Sequence, residues 1–170
     1  MLFSYIHFKR GGYVMLDAIK NVTDGKQIIE VIHAAFKRYE DDPMPSSALT
    51  ETVSTIKKEL EGNVLILGAE ILGKLVGVVK VTYHKEYIYF SRLSVLPEYQ
   101  GNGIASKLVT YIGKLAVKEQ IPYVCCKVRK SEGANIRLYK KLGYHISKEE
   151  VMTSPLGYVM ETLTMEKKVI

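Results

Sequence analysis

The fold is decided by the stretch Arg92-Leu93-Ser94-Val95-Leu96-Pro97-Glu98-Tyr99-Gln100-Gly101-Asn102-Gly103-Ile104-Ala105-Ser106-Lys107. It leaves a β-rich run, Glu86 to Leu96, in which Tyr87, Tyr89, Ser91, Leu93 and Val95 share one face. Pro97 stops that strand because it has no amide for the ladder. Beyond the glycines, Ile104, Leu108, Ile112 and Leu115 recur at helical spacing as an apolar stripe. Two glycines between a strand and a helix let the backbone bend tightly. The amides that open the helix then offer N–H groups and a positive dipole end to an anion such as a phosphate.

Two nucleotide motifs compete for this region and both are rejected. Gly101-Asn102-Gly103-Ile104-Ala105-Ser106 nearly matches the dinucleotide fingerprint, but Ser106 stands at its third glycine. Hairpin-linked strands precede it, and too little chain follows for the second half of a Rossmann sheet. Gly68-Ala69-Glu70-Ile71-Leu72-Gly73-Lys74-Leu75 matches the first seven positions of a P-loop, GxxxxGK. Leu75 replaces the Mg²⁺-binding hydroxyl, and Leu75 to Val81 reads as strand where a helix should begin.

Upstream, Leu16 to Val22 alternates weakly as a strand. Asp24 with Gln27 predicts a capping box, and Ile28, Ile32, Ala35, Phe36 and Tyr39 predict a helix ending near Tyr39. Glu40 to Pro45 is a loop, and a second helix runs to about Glu61 with Leu49, Val53, Ile56 and Leu60 on one face. Asn63 to Glu70 and Lys74 to His84 are strands joined by a turn at Gly73. Downstream come a strand (Tyr123 to Val128), a short helix (about Gly133 to Leu142), and strands around Tyr144 to Met152 and Tyr158 to Lys167. The order β-α-α-β-β-β-α-β-α-β-β is that of an α/β domain with a mixed central sheet flanked by helices.

With 170 residues, 47% apolar and 25% charged, the chain is one globular domain, too apolar for disorder. The longest apolar stretch, Val64 to Val81, is cut by Glu70 and Lys74, so no segment crosses a bilayer. Cys125 and Cys126 are neighbours and read as strand packing residues, which fits a reducing compartment. The N-terminus does not read as a signal peptide, and the expected location is cytoplasmic. Lys9-Arg10-Gly11-Gly12-Tyr13-Val14-Met15 back-translates to a purine run before a methionine codon, as in a bacterial ribosome-binding site. Translation is therefore expected to start at Met15, with residues 1–14 an extension and 15–170 the domain; the alternative is a real extra strand at the N-terminus. The net charge of +6 is uneven: between Lys107 and Lys148, ten Lys or Arg face only Glu119 and Glu132. That half suits an anion, either a phosphate-bearing cofactor or nucleic acid.

The stretch from Arg92 to Ala105 resembles motif A of the GNAT acyl-CoA-dependent N-acetyltransferases, a strand and a proline followed by Gln/Arg-x-x-Gly-x-Gly/Ala, here Gln100-x-x-Gly103-x-Ala105. Asn135-Ile136-Arg137-Leu138-Tyr139-Lys140-Lys141-Leu142-Gly143-Tyr144 resembles the family's motif B, and the element order from Leu16 to Lys167 fits its fold. The resemblance implies a single-domain, bacterial-type, metal-free N-acetyltransferase that moves an acetyl group from acetyl-CoA to a primary amine by direct attack in a ternary complex. It implies that the amides of Gly101, Gly103, Ala105 and Ser106, in a loop and helix start that include Asn102 and Ile104, hold the pyrophosphate, with Gln100 and Lys107 as phosphate neighbours. Leu93, Ser94 and Val95 would pair with pantetheine and aim an N–H at the thioester carbonyl.

By the same resemblance Asn135 contacts the CoA arm and Tyr139 protonates the leaving thiolate as general acid. Spacing alone makes Tyr139 a half-buried core tyrosine, puts Ala134, Leu138 and Leu142 on the core stripe, and turns Arg137, Lys140 and Lys141 to solvent. The base is unassigned. Tyr89, Ser91 and Arg92 stand where many family members carry a carboxylate, which leaves Glu86, His84 or Tyr89, acting directly or through water. Glu40, Asp41 and Asp42 would attract a cationic amine. His7, His33 and His145 lack metal spacing. The acceptor is a small molecule or a peptide, exposed edge strands make a homodimer unsurprising, and no membrane or nucleic-acid partner is expected. The missing strand carboxylate keeps a non-catalytic acyl-CoA sensor as the alternative.

Overall fold

A computed structural model describes residues 4–8, 12–16 and 18–170 of the chain. The elements are β1 (Ser4–Phe8), β2 (Gly12–Leu16), β3 (Ala18–Asn21), α1 (Gly25–Phe36), α2 (Val53–Glu61), β4 (Val64–Ile71), β5 (Lys74–Tyr83), β6 (Tyr87–Val95), α3 (Ile104–Lys118), β7 (Tyr123–Arg129), α4 (Gly133–Lys141), β8 (His145–Thr153) and β9 (Val159–Lys168). β1 and β2 form a separate hairpin whose last residue, Leu16, is buried in the main core. Lys9, Arg10 and Gly11 of the purine-coded run lie outside the described residues.

The other strands form one seven-stranded sheet in the order β3-β4-β5-β6-β7-β9-β8. Every described pairing in it is antiparallel except β6 with β7, the pair that α3 bridges as a crossover. One core packs Ile104, Leu108, Ile112 and Ala116 of α3 on Ile88, Phe90, Val124, Cys126 and Met165. A second packs Ile28, Val31 and Ile32 of α1 and Ile56 of α2 on Ile66, Leu75 and Val78. The mixed, helix-flanked sheet of the sequence reading is therefore observed.

Local chemistry accounts for the boundaries. The Asp24 carboxylate accepts the Lys26 and Gln27 amides at 3.0 and 3.2 Å and starts α1, which tightens into a 3-10 turn at Lys37–Tyr39. The second helix begins later than expected. Ser47–Thr50 is a separate 3-10 turn, Glu51 is extended, and reciprocal Thr52–Thr55 hydrogen bonds restart the chain as α2 at Val53. Val53 is in consequence 48% exposed instead of on the buried face. The rejected P-loop is the β4–β5 hairpin. Leu72 and Gly73 both have positive φ, 51° and 74°, as a two-residue turn of this kind demands. Gly68 serves packing, since a Cβ there would stand 2.6 Å from Leu75 Cδ1 and from Val22 Cγ1.

Gly68→Ala is expected to destabilise the protein by about 1–3 kcal/mol through overpacking, seen as a lower urea midpoint at unchanged slope.

Candidate functional site

The parallel pairing of β6 and β7 covers only Tyr87↔Tyr123 to Phe90↔Cys126. Past that point β6 stays on β5 as far as Val95 and β7 stays on β9 as far as Arg129, so the sheet opens between them. β6 also carries a bulge there: Arg92 has φ 52°, its carbonyl accepts from Ser94 Oγ at 2.8 Å, and the register against β5 shifts between Val78 and Lys80. A cavity of about 360 Å³ fills the opening. Its walls are Tyr89 to Leu93 of β6, Cys126 to Arg129 of β7, one face of α4, Phe36, Tyr39, Ser46 and Ser47 from the α1–α2 region, and Met152, Pro155 and Met160 around the β8–β9 turn.

Glu132, Asn135 and Tyr139 are spaced three and four residues apart, which puts them on the one helical face that lines this cavity. This corrects the expected core stripe of α4. Ala134 is exposed and Leu138 and Leu142 are only partly buried, whereas Tyr139 is 6% exposed and is the buried residue of the helix. The reason is position: α4 covers the opening, so the face toward the sheet carries its polar residues. The Tyr139 ring meets Phe90 edge-on at 5.6 Å and lies 6.1 Å from Tyr144. Burial pushes its phenol far above the ordinary tyrosine value of 10.0. Arg137, Lys140 and Lys141 are exposed, as expected.

At the end of β6, Leu96 leads through a 3-10 turn (Pro97–Tyr99) to α3. Gly101 and Gly103 have φ of 76° and 82°, and a Cβ on Gly103 would meet nothing within 4 Å. No side chain caps α3 at Gly103, so the amides of its first turn are open to a ligand. Gln100 and Asn102 brace this loop from within. Gln100 Nε2 donates to the Val95 carbonyl at 2.9 Å, and Asn102 Nδ2 donates to the carbonyls of Tyr99 and Gln100. Ile104 is buried, while Ala105, Ser106 and Lys107 are partly exposed.

The ion pairs around the cavity were not singled out in the sequence. Glu51 accepts from Arg92 Nε at 2.6 Å and from Lys80 at 2.7 Å, and Lys80, 4% exposed, also pairs with Glu59 at 2.6 Å. Arg92 NH2 reaches Ser47 Oγ at 3.0 Å, and His33 Nε2 meets the Glu51 carbonyl at 2.9 Å. Lys127 pairs with Glu150 at 2.7 Å, and Glu150, which also holds Lys148, is pulled down to about 2 by these lysines. Glu132 is 3.4 Å from Arg38, which also donates to the Tyr39 hydroxyl. Burial and the neighbouring Glu132 push the Tyr39 phenol up to about 12. Arg129 donates to the carbonyls of Met44 and Pro45 at 2.7 and 3.2 Å.

The three candidate bases do not meet in the cavity. Glu86 is exposed and borders a second recess that it shares with Tyr87, Tyr89 and Tyr123, and His84 stacks on Tyr87 at 4.3 Å in the β5–β6 turn. Tyr89 does line the cavity, but burial raises its phenol, so it is a proton donor at neutral pH. Glu40 and Asp41 are exposed outside the cavity, and Asp42 accepts the Met44 amide at 2.8 Å. Burial raises both thiols, Cys125 to about 11, so neither cysteine is activated. Among the described residues no group of His, Cys, Asp and Glu could hold a metal, and no helix is long and apolar enough to cross a membrane.

The family model for the acetyltransferase (GNAT) domain matches residues 61–146. Acetyltransferase SG1711 of Sodalis glossinidius is 34% identical over 84 residues, 48% of this chain and 58% of that protein, so the chain spans little more than half the length of such curated relatives. The S-alkylcysteine N-acetyltransferase of Bacillus subtilis is 21% identical over 162 residues, 88% of this chain and 89% of that one. Among solved structures, the ribosomal-protein-S18-alanine N-acetyltransferase of Escherichia coli superposes with a TM-score of 0.73 at 17% identity, covering 89% and 93% of the two chains. For yncA of Salmonella typhimurium, solved with its cofactor acetyl-CoA, the TM-score is 0.67 at 16% identity over 90% and 94%. These two likenesses show a shared fold.

Lys80→Ala takes a buried cation from Glu51, which keeps Arg92, and from Glu59, which is partly exposed, and a loss of about 1–3 kcal/mol is expected in denaturant unfolding.

Proposed function

Because the chain belongs to the GNAT acetyltransferase family, we propose that it transfers an acetyl group from acetyl-CoA to a primary amine by direct attack in a ternary complex. The observation that carries this reading is the open sheet between β6 and β7, bounded by Tyr139 on α4 and followed in the chain by the uncapped N-terminus of α3.

The residues fit the cosubstrate. A pyrophosphate needs N–H donors and room to approach, which the amides from Gly101 to Ser106 and the left-handed Gly103 provide; Lys107 adds a cation nearby. Leu93, Ser94 and Val95 lie where β6 has parted from β7, so backbone groups of that stretch are free to pair with an extended arm. An N–H among them would meet the thioester oxygen as negative charge develops there. Asn135, on the cavity face of α4, would meet the same arm. Acetyl-CoA supplies the activated acyl group.

In the transfer the amine nitrogen forms the new C–N bond, the C–S bond breaks, and the Tyr139 phenol protonates the departing sulfur. Burial keeps that phenol loaded over the working pH range, and the same desolvation raises the affinity of the sulfur for the proton. No carboxylate stands at Tyr89, Ser91 or Arg92. Glu132 takes its place as the carboxylate on the cavity wall and orients the incoming amine, whose proton leaves to water. The same absence favours, as a second reading, a non-catalytic acyl-CoA sensor, which would bind acetyl-CoA without turnover on any amine.

Tyr139→Phe is expected to lower kcat by about 100-fold or more with acetyl-CoA affinity within about twofold. Thiol release measured with a disulfide reagent and calorimetry on the same sample check this, and an unchanged kcat removes Tyr139 from the role. The pH profile gives a second test. The amine must be neutral to attack, so kcat/KM rises about tenfold per pH unit and levels near the acceptor's own pKa, about 8 for the α-amino group of a peptide and higher for a free amino acid. Since the Tyr139 phenol sits above 10.0, no descending limb appears below that pH.

A further inference from the structure

Each charged residue on the cavity wall has a partner of opposite charge, with one exception. Arg92 is satisfied by Glu51 and Ser47, and the group Glu51, Glu59, Lys80 and Arg92 balances two carboxylates against two cations. Lys127 has Glu150, and Glu132 has Arg38. Arg129 has no carboxylate within ion-pair distance among the described residues. Its guanidinium is anchored by the Met44 and Pro45 carbonyls and lies 5.7 Å from the centre of the Tyr39 ring. Those two bonds use two of its five N–H donors and leave three. A partly buried, fixed guanidinium with spare donors and full charge is built to take a carboxylate from a ligand.

We propose that the acceptor is a free amino acid with an apolar side chain, and that Arg129 reads its carboxylate. Phe36, Met152, Pro155 and Met160, which line the same cavity, supply an apolar wall of adaptable side chains for the rest of the molecule. The cavity of about 360 Å³ takes the acceptor beside the acetyl end of the cosubstrate arm. Arg129 then meets the carboxylate of the zwitterion, and Glu132, whose contact with Arg38 is 3.4 Å long, faces its amine from the same cavity wall. A polyamine would present only cations to Arg129, and a protein N-terminus would present a neutral amide where the carboxylate belongs. A purely structural Arg129, tying β7 to the Met44–Pro45 loop, predicts no discrimination between an acid and its amide.

The proposal deepens the acetyl-transfer reading, and its test is a binding measurement that needs no turnover. Calorimetry on the CoA-saturated full chain compares L-methionine, L-leucine and L-phenylalanine with their carboxamides. At least one acid is expected to bind about tenfold or more tighter than its amide. In Arg129→Gln that ratio falls toward one while CoA affinity stays within about twofold, and Arg129→Lys, which keeps the charge without the fork, gives an intermediate ratio. A wild-type ratio near one, binding of none of the three acids, or an alanyl tripeptide bound as tightly as the free amino acids overturns the proposal whatever the variants do. Failure of the acetyl-transfer reading looks different: the acid preference persists, but no bound acceptor releases thiol from acetyl-CoA.

Discussion

Two adjacent strands that stop pairing after four residue pairs leave a row of main-chain donors and acceptors facing each other across a gap. Inside a sheet covered by helices, unpaired peptide groups cost free energy unless a ligand, a side chain or water meets them. The rest of the molecule is arranged around that gap. β5 and β9 hold the diverging strands from outside, the Ser94 hydroxyl satisfies the carbonyl of the bulged Arg92, and α4 lies across the opening. The sheet thus trades several internal hydrogen bonds for a slot whose walls can bond an extended ligand. β6 leads to the α3 N-terminus through one short turn, so the slot and the glycine turn are set by one continuous stretch of chain.

The bulge is anchored by an ion-pair group that reaches the cavity wall at Arg92 and Ser47. Arg92 in a left-handed conformation is strained for a residue with a side chain. Its guanidinium is fixed by Glu51 and Ser47, and Glu51 shares Lys80 with Glu59. Glu51 is free to make these contacts because the chain is extended there, between the 3-10 turn at Ser47–Thr50 and α2. Had the second helix run unbroken through Leu49, as its apolar spacing suggested, Glu51 would be a helical residue and the Arg92 bulge would lose its anchor.

That break marks where sequence reasoning stopped working. Strand and helix types, the sheet's mixed character and the glycine turn before α3 rest on periodicity, proline and glycine over short spans, and these were legible. The Thr52–Thr55 box was legible in principle, but the apolar spacing of Leu49, Val53 and Ile56 outweighed it. The Glu51–Arg92 pair spans 41 residues and the bonds from Arg129 to Pro45 and Met44 span 84 and 85, so no local pattern announces them. Ala134 and Tyr139 exchanged burial for a related reason. Helical spacing gives the faces of α4 but not which face meets the sheet, and a helix over an opening turns inward the face that fills it.

For Tyr139 a packing role and the proposed chemical role do not compete. Spacing alone reads it as a core tyrosine, and it is one: the ring is wedged between Phe90 and Tyr144. The packing fixes where the phenol stands to within the freedom of a T-shaped aromatic contact. The burial that comes with it raises the phenol's affinity for its proton, which keeps the group a donor throughout neutral pH. A solvent-exposed tyrosine would have the same hydroxyl with neither the fixed position nor the shift. The apolar contacts that stabilise the fold at Phe90, the residue where β6 and β7 part, are therefore the same contacts that would prepare Tyr139 for the proposed proton transfer beside the gap.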